Sequence, residues 1–140
     1  MYPGDDGAGT LHLAIREPAS GDRAAGEPSI VSVGSFYLEA VPESVEHAMC
    51  GVLPGSAGVR IRGMATLEGS RGRGYGRGLV RHGVELLQQR GTRYDALWCN
   101  ARTSAAGYYE RLGFVAGSAL FELPDIGEHV VMVRAEPQAR

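Results

Sequence analysis

The sequence predicts a single α/β (α+β) domain with a mixed sheet, and three observations lead to that fold class. The chain has 140 residues, 44% hydrophobic and 21% charged, which suits one domain with one core. Several short segments alternate apolar and polar residues, as half-buried strands do. Near the middle, a strand pattern, a glycine-rich turn, an amphipathic helix and an apolar strand follow one another, which is typical of a βαβ unit with a parallel pair of strands.

The first half of the chain predicts three strands. Residues 1–9 are rich in Gly, Asp and Pro and are expected to be disordered or a loop, and residues 11–16 then alternate large apolar residues with others. After the proline- and glycine-containing stretch 17–28, residues 30–38 predict a second strand that pairs antiparallel with the first. Residues 59–67 alternate apolar and basic side chains and predict the third strand.

The second half predicts two helices between strands. The apolar stripe from Leu79 to Leu87 has helical spacing, and Gly91 ends this helix as its C-terminal cap. Residues 96–99 form a short apolar strand.

A second helix and a hairpin complete the predicted elements. Thr103 can cap a helix that runs to Arg111 and stops at Gly113. Residues 114–123 and 129–133 are predicted to form a closing pair of strands.

Composition excludes several functional classes. All 14 basic residues are arginine, so a catalytic lysine and a Walker-type phosphate lysine are ruled out. The net charge of -2 does not suggest a nucleic-acid-binding surface, and we expect no nucleic-acid partner. Cys50 and Cys99 lack metal-ligand spacing, so no metal site is expected. The sequence has neither a membrane-length apolar run nor a signal-like start, which predicts a cytoplasmic protein without a membrane partner.

The stretch Arg71-Gly72-Arg73-Gly74-Tyr75-Gly76-Arg77 joins the third strand to the first helix and predicts an anion site. A helix N-terminus offers free N–H groups and a positive dipole end, glycines allow close approach, and the arginines add charged donors for a pyrophosphate or 3'-phosphate. A tight turn with solvated arginines is the alternative. A Rossmann pattern would need glycine at Tyr75 or Arg77, and an RNA-binding RGG segment would repeat, whereas this stretch occurs once.

Two blocks of this sequence resemble the GCN5-related N-acetyltransferase (GNAT) superfamily. Its acetyl-CoA signature, Arg/Gln-x-x-Gly-x-Gly/Ala after a central strand, is matched by Arg71, Gly74 and Gly76. Residues 105–114, AAGYYERLGF, are similar to its A-x-x-F-Y-E-x-L-G-F block. The resemblance covers residues 10–135, leaves 136–140 as a tail, and implies a mixed, mostly antiparallel sheet with a central parallel pair. It also implies an N-acetyltransferase that moves acetyl directly from acetyl-CoA, its acetyl donor, to an amine.

The resemblance assigns roles to individual residues. The backbone of a bulge in the third strand would bind the pantetheine arm, at Met64, Ala65 and Thr66. The Arg71–Arg77 backbone would hold the pyrophosphate, and Asn100 would contact the pantetheine amides unless it is a turn residue.

Tyr109 would be the general acid at the CoA sulfur, since a phenol with a pKa of about 10 is protonated at neutral pH. Tyr109 as a core aromatic is the alternative, and Tyr108 would be its packing neighbour.

Direct transfer also requires a base for the amine. His129 titrates in the right range and would border the acceptor site, although a solvated loop histidine is the alternative interpretation. The other candidates are Glu68, Glu122, Asp125 and Glu128.

The start of the chain departs from the family pattern. Members usually open with a strand and two helices before the second strand, whereas here about a dozen residues separate the first two predicted strands. We therefore expect the chain to begin at the family's second strand and to lack those opening elements. An uncovered sheet edge would favour a homodimer. The alternative function is an acyl-CoA-binding module of this fold with little or no transferase activity.

Overall fold

The computed structural model describes residues 10–17 and 29–136. The predictions for residues 1–9, for most of the stretch 17–28 and for the tail after Glu136 lie outside the described residues.

Seven strands and three helices make up the described fold. In chain order they are β1 (Leu11–Glu17), β2 (Ser29–Leu38), α1 (His47–Cys50), β3 (Gly58–Thr66), α2 (Tyr75–Gln89), β4 (Ala96–Arg102), α3 (Ala106–Arg111), β5 (Val115–Ala116), β6 (Phe121–Leu123) and β7 (Gly127–Ala135). Two 3-10 turns, Glu68–Ser70 and Thr103–Ala105, precede α2 and α3.

All seven strands belong to one sheet. Its order is β1-β2-β3-β4-β7-β5, and β6 also pairs with β7. Only β3 and β4 pair parallel, and the other neighbours pair antiparallel. The predicted mixed sheet with a parallel βαβ pair is therefore confirmed, as is the antiparallel pairing of the first two strands.

Three local features differ from the predicted elements. The single turn α1 was not predicted, because its four residues include none that is buried and so show no apolar period. The helix expected from Thr103 begins as a 3-10 turn. The strand expected over residues 114–123 is interrupted, because the hydroxyl of Ser118 accepts the Val131 N–H at 3.0 Å in place of a backbone carbonyl.

The two faces of the sheet carry separate apolar clusters. On one face α2 buries Leu79, Val80, Gly83 and Leu87, and the larger cluster there extends to Phe114 beside α3. On the other face, Trp98, Val131 and Val133 pack against residues of the segment between β2 and β3, namely Val41, Val45 and Val52. Side chains alternate between these faces along each strand, so neighbours in sequence serve different surfaces.

Helix α2 approaches the sheet closely at Gly83. A Cβ there would lie 2.5 Å from Phe36 Cζ and 2.8 Å from two further ring carbons. Phe36 is fully buried, so its ring has little room to move. Glycine at this position therefore sets the distance between α2 and β2.

Replacing Gly83 with alanine tests this close packing. We expect Gly83→Ala to lower the free energy of unfolding by about 1–3 kcal/mol through overpacking. Gly78→Ala in the same helix is the matched control, because its Cβ would meet Ile15 Cδ1 at an ordinary 3.8 Å and should stabilise the helix by about 0.5–1 kcal/mol. Urea unfolding measures both, and equal stability of the two variants would contradict the packing of α2 on Phe36.

Candidate active site

The two parallel strands separate after three residue pairs. β3 and β4 are in register at Gly58–Ala96, Val59–Leu97 and Arg60–Trp98, yet β3 continues to Thr66 and β4 to Arg102. The register between β2 and β3 shifts between Val33 and Ser35, and the facing Gly63 has a left-handed φ of 64°. Such a bulge bends its strand. The result is a gap between β3 and β4, here called the strand gap, that begins beyond Arg60 and Trp98.

The loop after β3 presents a helix N-terminus without a side-chain cap. Gly72 and Gly74 have left-handed φ values of 81° and 79°, which other residues rarely adopt. Gly74 is the N-cap of α2 and makes no side-chain cap hydrogen bond. The first N–H groups of α2 therefore remain available to an anion.

The end of β3, this loop and α3 enclose a groove of about 670 Å³, here called the loop groove. Its lining residues are Met64, Ala65, Thr66, Ser70, Arg71, Gly72, Gly74, Tyr75, Gly76, Arg77, Ala105, Tyr108, Arg111 and Leu112. The structure thus brings nine of the predicted cofactor-binding residues to one groove. Arg73 and Asn100 lie outside its lining, and the cofactor contacts themselves stay predictions.

Arg73 instead pairs with the end of β1. Its Nη1 lies 2.7 Å from Glu17 Oε1, and the Tyr75 hydroxyl donates to the same oxygen at 2.5 Å. The hydrogen bond from Tyr75, together with the charge of Arg73, lowers the pKa of Glu17. Glu17 thereby ties β1 to the loop. Glu17 was not predicted as part of the loop, because Arg73 and Tyr75 lie 56 and 58 residues from it in the chain and no local pattern links them.

Tyr109 lies beside the strand gap. Its half-buried ring packs edge-on against Phe114, with centroids 5.7 Å apart, and its hydroxyl interacts with the Cys99 thiol. Cys99 directly follows Trp98, the last residue of β4 in register with β3. Burial, with the neighbouring Cys99, raises the pKa of Tyr109, so its phenol keeps its proton at neutral pH. Burial raises the pKa of Cys99 to about 12, which makes this thiol a poor nucleophile.

Tyr108 occupies a different place from its neighbour. It lines the loop groove, and its hydroxyl contacts Gly76 so closely that a Cβ at residue 76 would overlap it. The rings of Tyr108 and Tyr109 are nearly perpendicular, with centroids 5.3 Å apart. Tyr108 was predicted as a packing residue, and its position in the groove was not predicted. The second hydroxyl in the aromatic pair is the sequence signal that could have indicated it.

Asn100 faces a second groove on the other side of the sheet. This far-face groove has a volume of about 600 Å³, and its lining includes Glu39, Glu46, Arg60, Trp98, Asn100 and Phe121. Arg60 lies over the Trp98 ring at 5.0 Å and pairs with Glu39 at 3.1 Å. Asn100 is two residues beyond Trp98, the last residue of β4 in register with β3, so it borders the strand gap. Its predicted contact with a pantetheine amide stays a prediction.

His129 is a buried strand residue, so its interpretation as a solvated loop histidine is wrong. It begins the buried part of β7 with 5% of its surface exposed, lies against Phe121 at 5.9 Å, and its Nδ1 is 2.7 Å from the Gly127 carbonyl oxygen. Val130 and Met132 belong to the cluster that includes Tyr109, so His129 faces the opposite side with Val131. The two predicted catalytic residues thus lie on opposite faces of the sheet, and the role of His129 as base stays a prediction.

A third groove, here called the arginine groove, adjoins the loop groove and has a volume of about 440 Å³. Its charged lining residues are Arg77, Arg81, Glu85, Arg111 and Arg134. It shares Arg77 and Arg111 with the loop groove. Arg134 is paired with Glu136 at 2.6 Å, and the remaining three arginines against Glu85 keep this surface positive and extend the anion-binding character of the loop.

The described residues contain neither a metal-binding cluster nor a membrane-spanning helix. Across residues 10–17 and 29–136, no group of three or more His, Cys, Asp or Glu side chains is placed to hold a metal ion. Within the same ranges, no helix has the length and apolar character to span a membrane.

The link between Glu17 and the loop gives a pH-dependent prediction. Because folding lowers the pKa of Glu17, its stabilising effect is present above the unfolded pKa and is lost as the pH falls through the folded value. We expect Glu17→Gln to lower the melting temperature at pH 7, and we expect its difference from the unmodified chain to shrink as the pH is lowered to 3, with exposed Glu43→Gln as control. Thermal unfolding at both pH values measures this, and equal losses at pH 7 and pH 3 would show that the carboxylate charge is not involved.

The sequence of this chain is similar to those of known proteins. A family model described as the acetyltransferase (GNAT) domain matches residues 34–116. The uncharacterized N-acetyltransferase YitI of Bacillus subtilis (strain 168) is 32% identical over 133 residues, covering 95% of this chain and 76% of that protein.

Solved structures share the fold. Aminoglycoside 6'-N-acetyltransferase complexed with coenzyme A matches with a TM-score of 0.61 at 10% identity, covering 96% of this chain and 77% of that one. Escherichia coli ElaA matches with a TM-score of 0.52 at 17% identity, covering 75% of this chain and 60% of that one. This chain therefore spans less than two thirds of the length of ElaA. At these identities the likeness shows the fold alone.

Proposed function

The chain belongs to the GNAT family of acetyltransferases, and from that premise we propose that it transfers an acetyl group directly from acetyl-CoA to an amine. The observation that carries this proposal is the continuity of the loop groove with the strand gap. The loop groove offers an anion site at the start of α2 and an open strand edge in Met64–Thr66. Tyr109, outside the groove lining, holds a protonated phenol at Cys99 beside the strand gap.

The loop groove matches the parts of acyl-CoA in order. The pyrophosphate rests on the N–H groups that begin α2, with Arg71 and Arg77 as charged donors. The pantetheine arm follows Met64–Thr66, whose edge is left free where β3 leaves β4. The arginine groove next to Arg77 receives the 3'-phosphate of the nucleotide. The aminoglycoside acetyltransferase of the same fold was solved with coenzyme A, which supports acyl-CoA as the ligand.

Tyr109 acts as the general acid. After the amine attacks the thioester carbonyl, the C–S bond breaks and the departing CoA thiolate takes the phenolic proton. The raised pKa of Tyr109 keeps that proton available. Its hydroxyl lies at Cys99, beside the strand gap through which the thioester would reach the acceptor.

The far-face groove takes the acceptor. Its Glu46 carboxylate suits a cationic group, since Glu39 is paired with Arg60, and Phe121 suits an apolar body. Asn100 lies at its inner end, where an amine meets the strand gap. His129 packs on Phe121 behind this groove, and its action as base is part of the same proposal. The cytoplasmic location and the homodimer stay predictions.

One observation favours the alternative function of an acyl-CoA-binding module. Tyr109 does not line the loop groove, and its hydroxyl is engaged by Cys99. A protein that binds acetyl-CoA but releases no free thiol with a panel of amines would be such a module.

A substitution at Gly74 tests the anion site. Valine at this left-handed position would project into the loop groove and disturb the loop conformation. Because several N–H contacts would then be lost, we expect Gly74→Val to weaken acetyl-CoA binding at least about 100-fold. Gly91→Val is the matched control, because Gly91 has a similar φ of 69° and open space around it but lies at the other end of α2. Isothermal titration measures both, and equal affinities in the two variants would refute the anion site.

A substitution at Tyr109 tests the acid. Tyr109→Phe keeps the ring against Phe114 but removes the proton donor, so we expect kcat to fall on the order of 100-fold while the Kd for acetyl-CoA stays within about threefold. Tyr94→Phe, which alters another buried tyrosine of the same cluster, is the control. Steady-state kinetics and titration measure both, and equal loss of kcat and affinity would remove Tyr109 from that role.

A further inference from the structure

Tyr108 places a hydroxyl on the first turn of α2. Its ring comes from α3 and lines the loop groove, and its oxygen lies against Gly76, the second residue of α2. Gly76 is buried, and a side chain there would displace the phenol. Glycine at residue 76 therefore makes room for the hydroxyl of Tyr108.

The Tyr108 hydroxyl can donate a hydrogen bond. Throughout the described part of the chain, no protein atom accepts a hydrogen bond from Tyr108, whereas the hydroxyls of Tyr75 and Tyr109 have partners in Glu17 and Cys99. Burial raises the pKa of Tyr108, so the phenol is a neutral O–H donor at physiological pH. A half-buried donor beside a groove is stabilised when a ligand accepts from it.

The neighbouring groups define what that ligand atom is. The first N–H groups of α2 point into the same region, and Arg71 and Arg77 line the groove beside it. All the charged side chains that line the loop groove are arginines. The atom that satisfies the Tyr108 hydroxyl is therefore an anionic oxygen.

We propose that Tyr108 is a further cofactor-binding residue, whose hydroxyl donates a hydrogen bond to a pyrophosphate oxygen of the bound acyl-CoA. This inference rests on the proposed function. It gives the two adjacent tyrosines separate tasks, because Tyr108 holds the phosphate end of the cofactor while Tyr109 serves the sulfur end.

Removal of this one hydroxyl tests the inference. In the full chain, Tyr108→Phe should weaken acetyl-CoA binding about tenfold, as expected for a hydrogen bond to a charged group. It should raise KM for acetyl-CoA, leave kcat within about twofold, and leave the melting temperature of the free protein unchanged. Tyr94→Phe, remote from the groove, is the control for loss of a buried hydroxyl.

A second ligand separates phosphate binding from a packing role. Acetylpantetheine lacks the pyrophosphate, so Tyr108→Phe and the unmodified chain should bind it equally, whatever the variant does to stability. A loss of the same size for both ligands, or no loss for acetyl-CoA, would overturn the inference while leaving the proposed function intact. Failure of the unmodified chain to bind acetyl-CoA would overturn both.

Discussion

The separation of β3 from β4 is the constraint on which the rest of the site depends. Two parallel strands that stayed in register to their ends would satisfy each other's backbone groups and close the sheet. Here the bulge at Gly63 bends β3 away after three pairs, which leaves a strand edge in the middle of the sheet. That edge can bind an extended ligand arm, and both the loop groove and the far-face groove have lining residues beside it.

A few charged and closely packed residues form the anion site and hold it in position. The chain has no lysine, so anion binding falls to arginines and to the N-terminus of α2. The helix is held by Gly83 against Phe36 at one point and by Glu17 through Tyr75 at its first residue. The position of the anion site thus depends on contacts with β1 and β2, far from it in the sequence.

Periodicity predicted most of the fold, and tertiary contacts decided what it missed. Alternation along the long strands and the stripe in α2 are strong local signals, whereas α1 buries nothing and the break at Ser118 depends on Val131, thirteen residues away. The glycine loop and the aromatic pair were found from their motifs. Alternation along β4 already implied that Cys99 and Asn100 face opposite sides, but only the sheet shows that Cys99 packs in the cluster with Tyr109 whereas Asn100 lines the far-face groove.

Amide hydrogen exchange with and without saturating acetyl-CoA tests the central claim most directly, because it reports where the cofactor lies along the chain. The account predicts slower exchange in residues 64–77 and 105–112, with little change in residues 39–46 on the far face. Slower exchange at residues 39–46 with none at residues 64–77 would contradict it, as would the absence of any change at a concentration that saturates related enzymes.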